Sequence, residues 1–425
     1  MHKYIKKFGI IVGHYVETAP HRARSLLKAA YQVSGWQMRH LPKRDLLPSQ
    51  QYLAVLCNKA IVNPLGNPER SAVVNLFLPC EVLHAMDITP QFTEGLSCYL
   101  NGAGSEYAFI EYAEKSGVPK SFCSYHKALL GAVLSGVLPK PRFVLNTTMA
   151  CDANTDTFRK IAEHYNVPHF TVDVPNSYGP EEVEYVVKQL KEMTSFIEDI
   201  MQEHLNIKKL QHVMQCEDKS LRLYEAYLSK LGQKSMPNDP TSEMYKIFCT
   251  HILLGTKKAE KYFELLLKDV ENAPLSKDEI RLLWVHTIPF WQDSIRNVFN
   301  NSDGRYRLIG CDINFDTSPI IFSSDPYEQM AKRLLMNTFC GPINKRAENA
   351  LELAKSLKAD GVVYFCHWGC KNTLGGGPYI KSVLKEEGIP LLLLDGDGCD
   401  RNNTNEGQIN TRMQAFLEML EGAKQ

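Results

Sequence analysis

The sequence lacks the features of several common functional classes. No apolar run approaches the roughly 18 residues of a membrane-spanning helix, and the run from Phe8 to Val12 is too short for a secretion signal. Neither sign of charge is in excess, with 48 Lys and Arg against 48 Asp and Glu. Nothing therefore favours binding to nucleic acid or to a membrane surface. We predict a cytoplasmic protein that acts on a small molecule.

Motifs for phosphate binding and nucleophilic catalysis are also missing. There is no Walker A loop, no Gly-x-Gly-x-x-Gly after a strand and no nucleophile elbow. The segment Asp395-Gly-Asp-Gly-Cys-Asp400 is acidic and would repel a phosphate. It is typical of a tight turn whose glycines have positive φ and whose Asp400 caps the next element, with a magnesium site as the alternative. If ATP is used, we expect another subunit to bind it.

Cysteine is abundant instead. Twelve cysteines in a chain expected in a reducing compartment argue against a disulfide framework. Cys57, Cys216 and Cys249 fit buried packing positions, whereas Cys311 is ambiguous. Six others lie at junctions between predicted elements, where thiols indicate a soft-metal site, with iron–sulfur as the first candidate. These six are Cys80, Cys98, Cys123, Cys151, Cys366 and Cys370.

The order of predicted elements indicates the fold. Strand and helix alternate in two regions, which predicts parallel sheets with helices on their faces. We predict two Rossmann-like, doubly wound α/β domains at 71–179 and 276–425, a mostly helical segment at 1–70 and a helical connection at 180–275. The predicted strands are Ala72–Leu78, Phe143–Thr147, His169–Val174, Arg281–His286, Tyr306–Asp312, Gly361–Phe365 and Pro390–Leu394.

Several of the six thiols follow predicted strands or begin predicted helices. Cys80, Cys151 and Cys366 follow strands, and ligands of open α/β sheets bind beyond the carboxyl ends of the strands. Cys123 and Cys151 begin helices, where the helix dipole stabilises a thiolate that could bind a metal cluster or act as a nucleophile. The closely spaced cysteines of ferredoxins are absent. Zinc bound by Cys366, His367 and Cys370 is an alternative.

Three histidines could act as general acids, namely His84, His126 and His286. His126 lies one helical turn after Cys123. We therefore predict His126 as the catalytic residue.

Six segments together resemble the 2-hydroxyacyl-CoA dehydratase and benzoyl-CoA reductase superfamily. The resemblance implies two Rossmann-like domains with an iron–sulfur cluster between them, and an ATP-hydrolysing activator dimer with its own [4Fe-4S] cluster. It also implies that three thiols bind one [4Fe-4S] cluster in typical dehydratase subunits, here Cys123, Cys151 and one of Cys366 and Cys370. The segments are Leu78–His84, Glu94–Tyr99, Phe122–Lys127, Ala150–Asn154, Cys366–Lys371 and Leu394–Arg401 with Gly407–Arg412.

With six such cysteines, the chain resembles a smaller branch of that superfamily, the double-cubane cluster proteins. This resemblance implies an [8Fe-9S] cluster in a homodimer. Cys340 or Cys399 could replace Cys98 as a ligand. We therefore expect an iron–sulfur reductase component that takes low-potential electrons from the activator and reduces a small substrate. The alternatives are a 2-hydroxyacyl-CoA dehydratase subunit, which is a lyase with one [4Fe-4S] cluster, and a non-catalytic electron carrier.

Overall fold

Two four-stranded parallel sheets organise the structure, a computed structural model that describes residues 3–300, 303–316 and 320–424. Their strand orders are β2-β1-β3-β4 and β6-β5-β7-β8, and every strand pair is parallel. The predicted fold of two doubly wound α/β units is confirmed. The strands are β1 (Ser71–Val74), β2 (Thr89–Phe92), β3 (Phe143–Thr147), β4 (His169–Val172), β5 (Ile280–Val285), β6 (Tyr306–Cys311), β7 (Gly361–His367) and β8 (Leu391–Gly396).

Helices cover the sheets and fill the segments before and between them. Short 3-10 turns at Pro68–Arg70, Asp312–Phe315 and Arg401–Asn403 and a π-helical turn at Phe248–Ile252 accompany them. The α-helices are α1 (Lys3–Thr18), α2 (Pro20–His40), α3 (Pro48–Gly66), α4 (Glu81–Ala85), α5 (Thr93–Gly102), α6 (Glu106–Lys115), α7 (Ser124–Leu134), α8 (Asp152–Tyr165), α9 (Pro180–Met201), α10 (Ile207–Leu231), α11 (Pro240–Tyr245), α12 (Lys257–Asn272), α13 (Asp293–Asn300), α14 (Pro326–Met336), α15 (Ile343–Ser356), α16 (Lys371–Leu374), α17 (Gly377–Glu386) and α18 (Glu406–Lys424).

The two central strands of the second sheet explain why its sequence is so apolar. Every residue of β5 and β7 is buried, because helices cover both faces of a parallel sheet. Amphipathic helices such as α12 bury one face, with Phe263, Leu266 and Val270, whereas almost every residue of α7 is buried. Within the described part of the chain, no helix is long and apolar enough to cross a bilayer.

Both sheets have the same strand order, in which the chain places the second strand on one side of the first and the third strand on the other. Adjacent strands whose connections leave in opposite directions form a switch point, and ligands of such sheets bind there, beyond the carboxyl ends of the strands. The switch points lie between β1 and β3 and between β5 and β7.

A buried ion cluster joins the helical connection to both domains. The guanidinium of Arg333 in α14 bridges the carboxylates of Glu81 in α4 and Glu217 in α10. Both carboxylates are fully buried. Because a buried charge without a partner is costly, this cluster holds α4, α10 and α14 in one arrangement.

Four strand predictions miss an end by two residues or more, among them β4, which ends at Val172 rather than Val174, and β8, which ends at Gly396 rather than Leu394. β1 ends at Val74 rather than Leu78, because Leu76 and Phe77 belong to a loop instead of the sheet. β2 has no counterpart in the predictions. β7 continues two residues beyond Phe365 and includes Cys366 and His367.

Candidate functional site

A cavity of about 120 Å³ lies between the two sheets, where their switch points face each other. Residues directly after the strands on either side of each switch point contribute much of its wall, as expected for a binding site in this class of fold. They are Leu76 and Phe77 after β1, Ala150 and Cys151 after β3, His286 and Thr287 after β5, and Cys370 after β7.

Four of the six thiols predicted to bind a cluster line this cavity. Cys98 belongs to α5, whereas Cys123, Cys151 and Cys370 immediately precede α7, α8 and α16. The predicted positions of Cys123 and Cys151 at helix starts are thereby confirmed. The dipole of the long helix α8 favours an anion at Cys151.

Three of these thiols are close enough to influence one another. Burial, followed by the thiols of Cys370 and Cys151, raises the pKa of Cys123 well above its ordinary value. Burial, followed by the thiol of Cys370, raises the pKa of Cys151 to about 12. Ionising all three together is unfavourable unless a bound cation compensates their charge. This donor set therefore fits an iron–sulfur group, and we name Cys123, Cys151 and Cys370 the thiol triad.

Cys366 and Cys80 do not line the cavity. Because side chains alternate along a strand, Cys366 and His367 lie on opposite faces of β7. The Sγ atom of Cys366 lies 3.4 Å from the position of a Cβ on Gly377 in α17, away from the triad. The Sγ atom of Cys80 lies 3.3 Å from the carbonyl oxygen of Leu78. Their role as cluster ligands stays a prediction.

The two alternative ligands also have other neighbours. The Sγ atom of Cys340 lies 3.1 Å from the carbonyl oxygen of Pro175, and the Sγ atom of Cys399 lies 3.8 Å from that of Ser97. Across residues 3–300, 303–316 and 320–424, no three His, Cys, Asp or Glu side chains are grouped to bind a single metal ion. This arrangement gives no support to the zinc alternative. The ligands of a [4Fe-4S] cluster each bind a different iron, so they lie farther apart than the ligands of a single metal ion.

His367 joins the triad to the second domain through two hydrogen bonds. Its Nδ1 atom accepts from the backbone N–H of Gly398 at 3.0 Å, so the proton of the neutral ring lies on Nε2. The Nε2 atom lies 3.3 Å from the Sγ atom of Cys123. Burial lowers the pKa of His367, in agreement with a neutral ring. His367 therefore donates a hydrogen bond to a triad sulfur.

The acidic segment after β8 holds the first domain in place. The carboxylate of Asp397 accepts from the Ser124 hydroxyl and from the backbone N–H groups of Cys399 and Asp400 at 2.9 and 2.8 Å. The carbonyl oxygen of Gly398 accepts from the Tyr125 hydroxyl at 3.0 Å. This loop therefore docks onto the start of α7, next to Cys123.

The prediction for this segment is correct in one part and wrong in another. Asp400 caps the following turn by accepting from the backbone N–H of Asn402 at 2.9 Å. Gly396 and Gly398 do not have positive φ. Gly398 is needed for another reason, because a Cβ there would lie 2.8 Å from the Tyr125 hydroxyl oxygen.

A different glycine has the conformation expected of a tight turn. Gly369 has φ +82°, and a Cβ on it would lie 2.8 Å from the Cα atom of Cys123. Only glycine combines this backbone conformation with such a close approach. Gly369 thus allows the loop that carries Cys370 to reach Cys123.

Two of the three candidate histidines line the cavity. Burial, followed by the neighbouring His367, lowers the pKa of His126 to about 4, so His126 is neutral at pH 7. A neutral imidazole is a weak acid, and the catalytic role of His126 stays a prediction. His286 lines the same cavity. The Nε2 atom of His84 instead lies 2.8 Å from the carbonyl oxygen of Ile252.

The sequence is similar to those of known proteins. The family model described as 2-hydroxyglutaryl-CoA dehydratase, D-component, matches residues 75–420. The chain is 22% identical over 371 residues to the alpha subunit of (R)-phenyllactyl-CoA dehydratase from Clostridium sporogenes, covering 82% of this chain and 88% of the relative. It is 21% identical over 373 residues to the (R)-2-hydroxyisocaproyl-CoA dehydratase alpha subunit from Clostridioides difficile, covering 81% and 89%. The beta subunit of the Clostridium sporogenes enzyme is 22% identical over 327 residues, covering 72% and 82%.

Proposed function

Because the chain belongs to the 2-hydroxyglutaryl-CoA dehydratase, D-component, family, we propose that it is an iron–sulfur subunit of a 2-hydroxyacyl-CoA dehydratase. The names of the relatives favour this lyase over the reductase expected from the cysteine count. The observation that carries the proposal is the thiol triad in the cavity between the two switch points.

The triad supplies the number of thiolates that the family resemblance implies for one [4Fe-4S] cluster. Cys123 and Cys151 come from the first domain and Cys370 from the second, so the group would be bound between the domains. When bound, such a cluster would supply one-electron chemistry at low potential. Three thiolates leave one of its four irons without a protein thiolate.

The remaining residues of the wall have separate roles in this proposal. The N–H of His367 stabilises negative charge on the Cys123 sulfur, which helps to set the reduction potential. Apolar side chains, among them Phe77, Ile313 and Phe339, exclude water from the same space. A dry cavity strengthens the hydrogen bonds made inside it.

The reaction would remove the hydroxyl group at C2 and a hydrogen at C3 of a 2-hydroxyacyl thioester. The products are a 2-enoyl thioester and water, with no net oxidation or reduction. One electron from the ATP-hydrolysing activator is therefore recovered in each turnover. The relatives are named as alpha and beta subunits, and we propose that this chain pairs with a related subunit in the same way.

A reductase with a double-cubane [8Fe-9S] cluster is the second candidate. It is favoured by Cys98, which lines the cavity as a fourth thiol beside the triad. It requires six thiolates around one space, and the positions of Cys80 and Cys366 outside the cavity wall argue against it. The single-cluster dehydratase therefore fits this wall better.

Metal analysis of the protein purified without oxygen tests the proposal. We expect about four irons and about four acid-labile sulfides per chain, whereas about eight and about nine would favour the second candidate. The co-purified complex is then mixed with activator, ATP and a panel of 2-hydroxyacyl-CoA thioesters. Enoyl thioester formed with only catalytic amounts of electron donor supports the lyase. Zinc without sulfide would refute both candidates.

A further inference from the structure

The polar atoms without partners in the cavity indicate where a ligand is bound. Within the described residues, four side chains of the cavity wall have buried nitrogen or oxygen atoms that make no hydrogen bond. Native proteins rarely leave such atoms unpaired, because each one loses its hydrogen bonds to water. The atoms belong to His126, Asn154, His286 and Thr287.

His286 differs from the other three because both of its ring nitrogens lack a partner in the part of the chain that the structure describes. The residue is only 8% exposed, so bulk solvent does not reach these nitrogens freely. A neutral imidazole carries one donor and one acceptor. His286 therefore presents unsatisfied hydrogen-bonding groups of both kinds to the cavity.

The backbone of His286 is held in an unfavourable conformation. Its φ is +77°, in a region of backbone conformation that residues other than glycine rarely adopt. The end of β6 fixes it there, because its backbone N–H donates to the Asp312 carboxylate at 2.6 Å and its carbonyl oxygen accepts from the Cys311 thiol at 2.9 Å. Strain of this kind is typical of functional sites.

Thr287 extends the same polar patch. Its Oγ1 atom is buried without a partner, while its carbonyl oxygen accepts from the Trp284 indole at 3.0 Å, which fixes the backbone. The charged and titratable groups facing His286 are Arg346, paired with Asp312 at 2.9 Å, and the ring of His367, whose centroid lies 6.5 Å away. A few convergent polar groups in an otherwise apolar wall are typical of a small-molecule site.

We propose that His286 and Thr287 form the subsite that hydrogen-bonds the oxygen atoms of the substrate, namely the C2 hydroxyl and the thioester carbonyl. The inference rests on the proposed function and adds to it the residues that bind the reacting end of the substrate. The subsite follows β5, on the other side of the second switch point from Cys370. A substrate held there lies in the same cavity as the thiol triad.

Binding without turnover tests the subsite. Lactoyl-CoA and 2-hydroxyisocaproyl-CoA are titrated calorimetrically into the oxidised, cluster-loaded protein under anaerobic conditions, without activator. We expect His286→Gly to weaken binding about tenfold or more and Thr287→Val by about two- to tenfold, as expected from lost hydrogen bonds. The matched control is Thr157→Val, because the Thr157 hydroxyl is also buried without a partner but does not line the cavity.

Two further measurements separate binding from structural effects. Glycine adopts positive φ freely, so we expect His286→Gly to keep a thermal midpoint close to that of the wild type. His286→Asn tolerates the same backbone, and its shorter side chain has an amide that can donate and accept hydrogen bonds, so we expect an intermediate affinity. If His286→Gly does not fold, Thr287→Val and His286→Asn still test the subsite.

The outcomes distinguish this inference from the proposed function. If the His286 and Thr287 variants bind the thioesters with the affinity of the wild type, the subsite is wrong and the dehydratase proposal is unaffected. If the wild-type protein binds neither thioester but dehydrates other members of the panel, the proposed subsite is also wrong. If it dehydrates none of them, both the subsite and the dehydratase proposal are wrong. A shifted midpoint potential in substrate-free His286→Gly, with unchanged thioester affinity, assigns the ring nitrogens to the sulfur atoms of the cluster and refutes the subsite.

Discussion

His367 makes two hydrogen bonds that two different substitutions can separate. In His367→Asn, the amide oxygen takes the place of Nδ1 and can still accept from the backbone N–H of Gly398, but no donor reaches Cys123. In His367→Gln, the longer side chain places an N–H near the former Nε2 and leaves the Gly398 N–H without an acceptor. The pair therefore separates the effect on the sulfur from the effect on the fold.

The expected magnitudes follow from the two bonds. A hydrogen bond to a charged group contributes about 1.5–3 kcal/mol, and it is stronger in the reduced state because that state carries more negative charge. If the two states differ by about 1 kcal/mol, losing the bond lowers a one-electron potential by about 40 mV. An unpaired, buried Gly398 N–H costs about 1–3 kcal/mol of unfolding free energy.

Redox titration followed by electron paramagnetic resonance measures the first effect, and anaerobic urea unfolding measures the second. We expect His367→Asn to have a midpoint potential lower by about 40 mV, with most of its stability retained. We expect His367→Gln to have nearly the wild-type potential and reduced stability. Equal potentials in both variants, or a lower potential in His367→Gln only, would refute the hydrogen bond to Cys123.

Three other predictions follow from the site and its surroundings. Cys370→Ser should lose most of its iron while Cys366→Ser keeps it, and equal iron loss in metal analysis would contradict the assignment of the triad. Gly369→Ala should unfold at lower urea and bind less iron, whereas Gly388→Ala, with φ +72° but open space around it, should cost only about 1 kcal/mol; equal effects would exclude the steric argument. Arg333→Met should cost about 3–5 kcal/mol in urea unfolding because two buried glutamates lose their partner, and a loss below about 1 kcal/mol would show that the cluster is not stabilising.

Most of the fold could be predicted because its strands are continuous apolar runs. The predicted strand Phe143–Thr147 matches β3 residue for residue. β2 was missed because Thr89–Phe92 is a short edge strand that contains a proline, and its burial depends on neighbours far away in the sequence. The apolar Leu76 and Phe77 fit the pattern of a buried strand, but they line the cavity instead.

The site was predictable in its chemistry and less so in its geometry. The junction positions indicate six candidate thiols, and the family resemblance reduces them to Cys123, Cys151 and one of Cys366 and Cys370. Ending the predicted strand at Phe365 leaves both of the last two as candidates. The two further strand residues decide between them through the alternation of side chains. The signal for His286 is its place at the end of the predicted strand Arg281–His286, but its unpaired nitrogens and positive φ appear only in three dimensions.

The division of the triad between the two domains constrains how the protein is made. Cys123 and Cys151 leave the ribosome long before Cys370, and domains generally fold in order of synthesis. Any group bound by all three thiols is therefore acquired after translation of both domains is complete. During that interval the first domain carries two free thiols at a future binding site, exposed to oxidation. If that group is the proposed iron–sulfur cluster, iron and sulfide are delivered to a finished chain, and oxygen present before that delivery oxidises the thiols of the apoprotein.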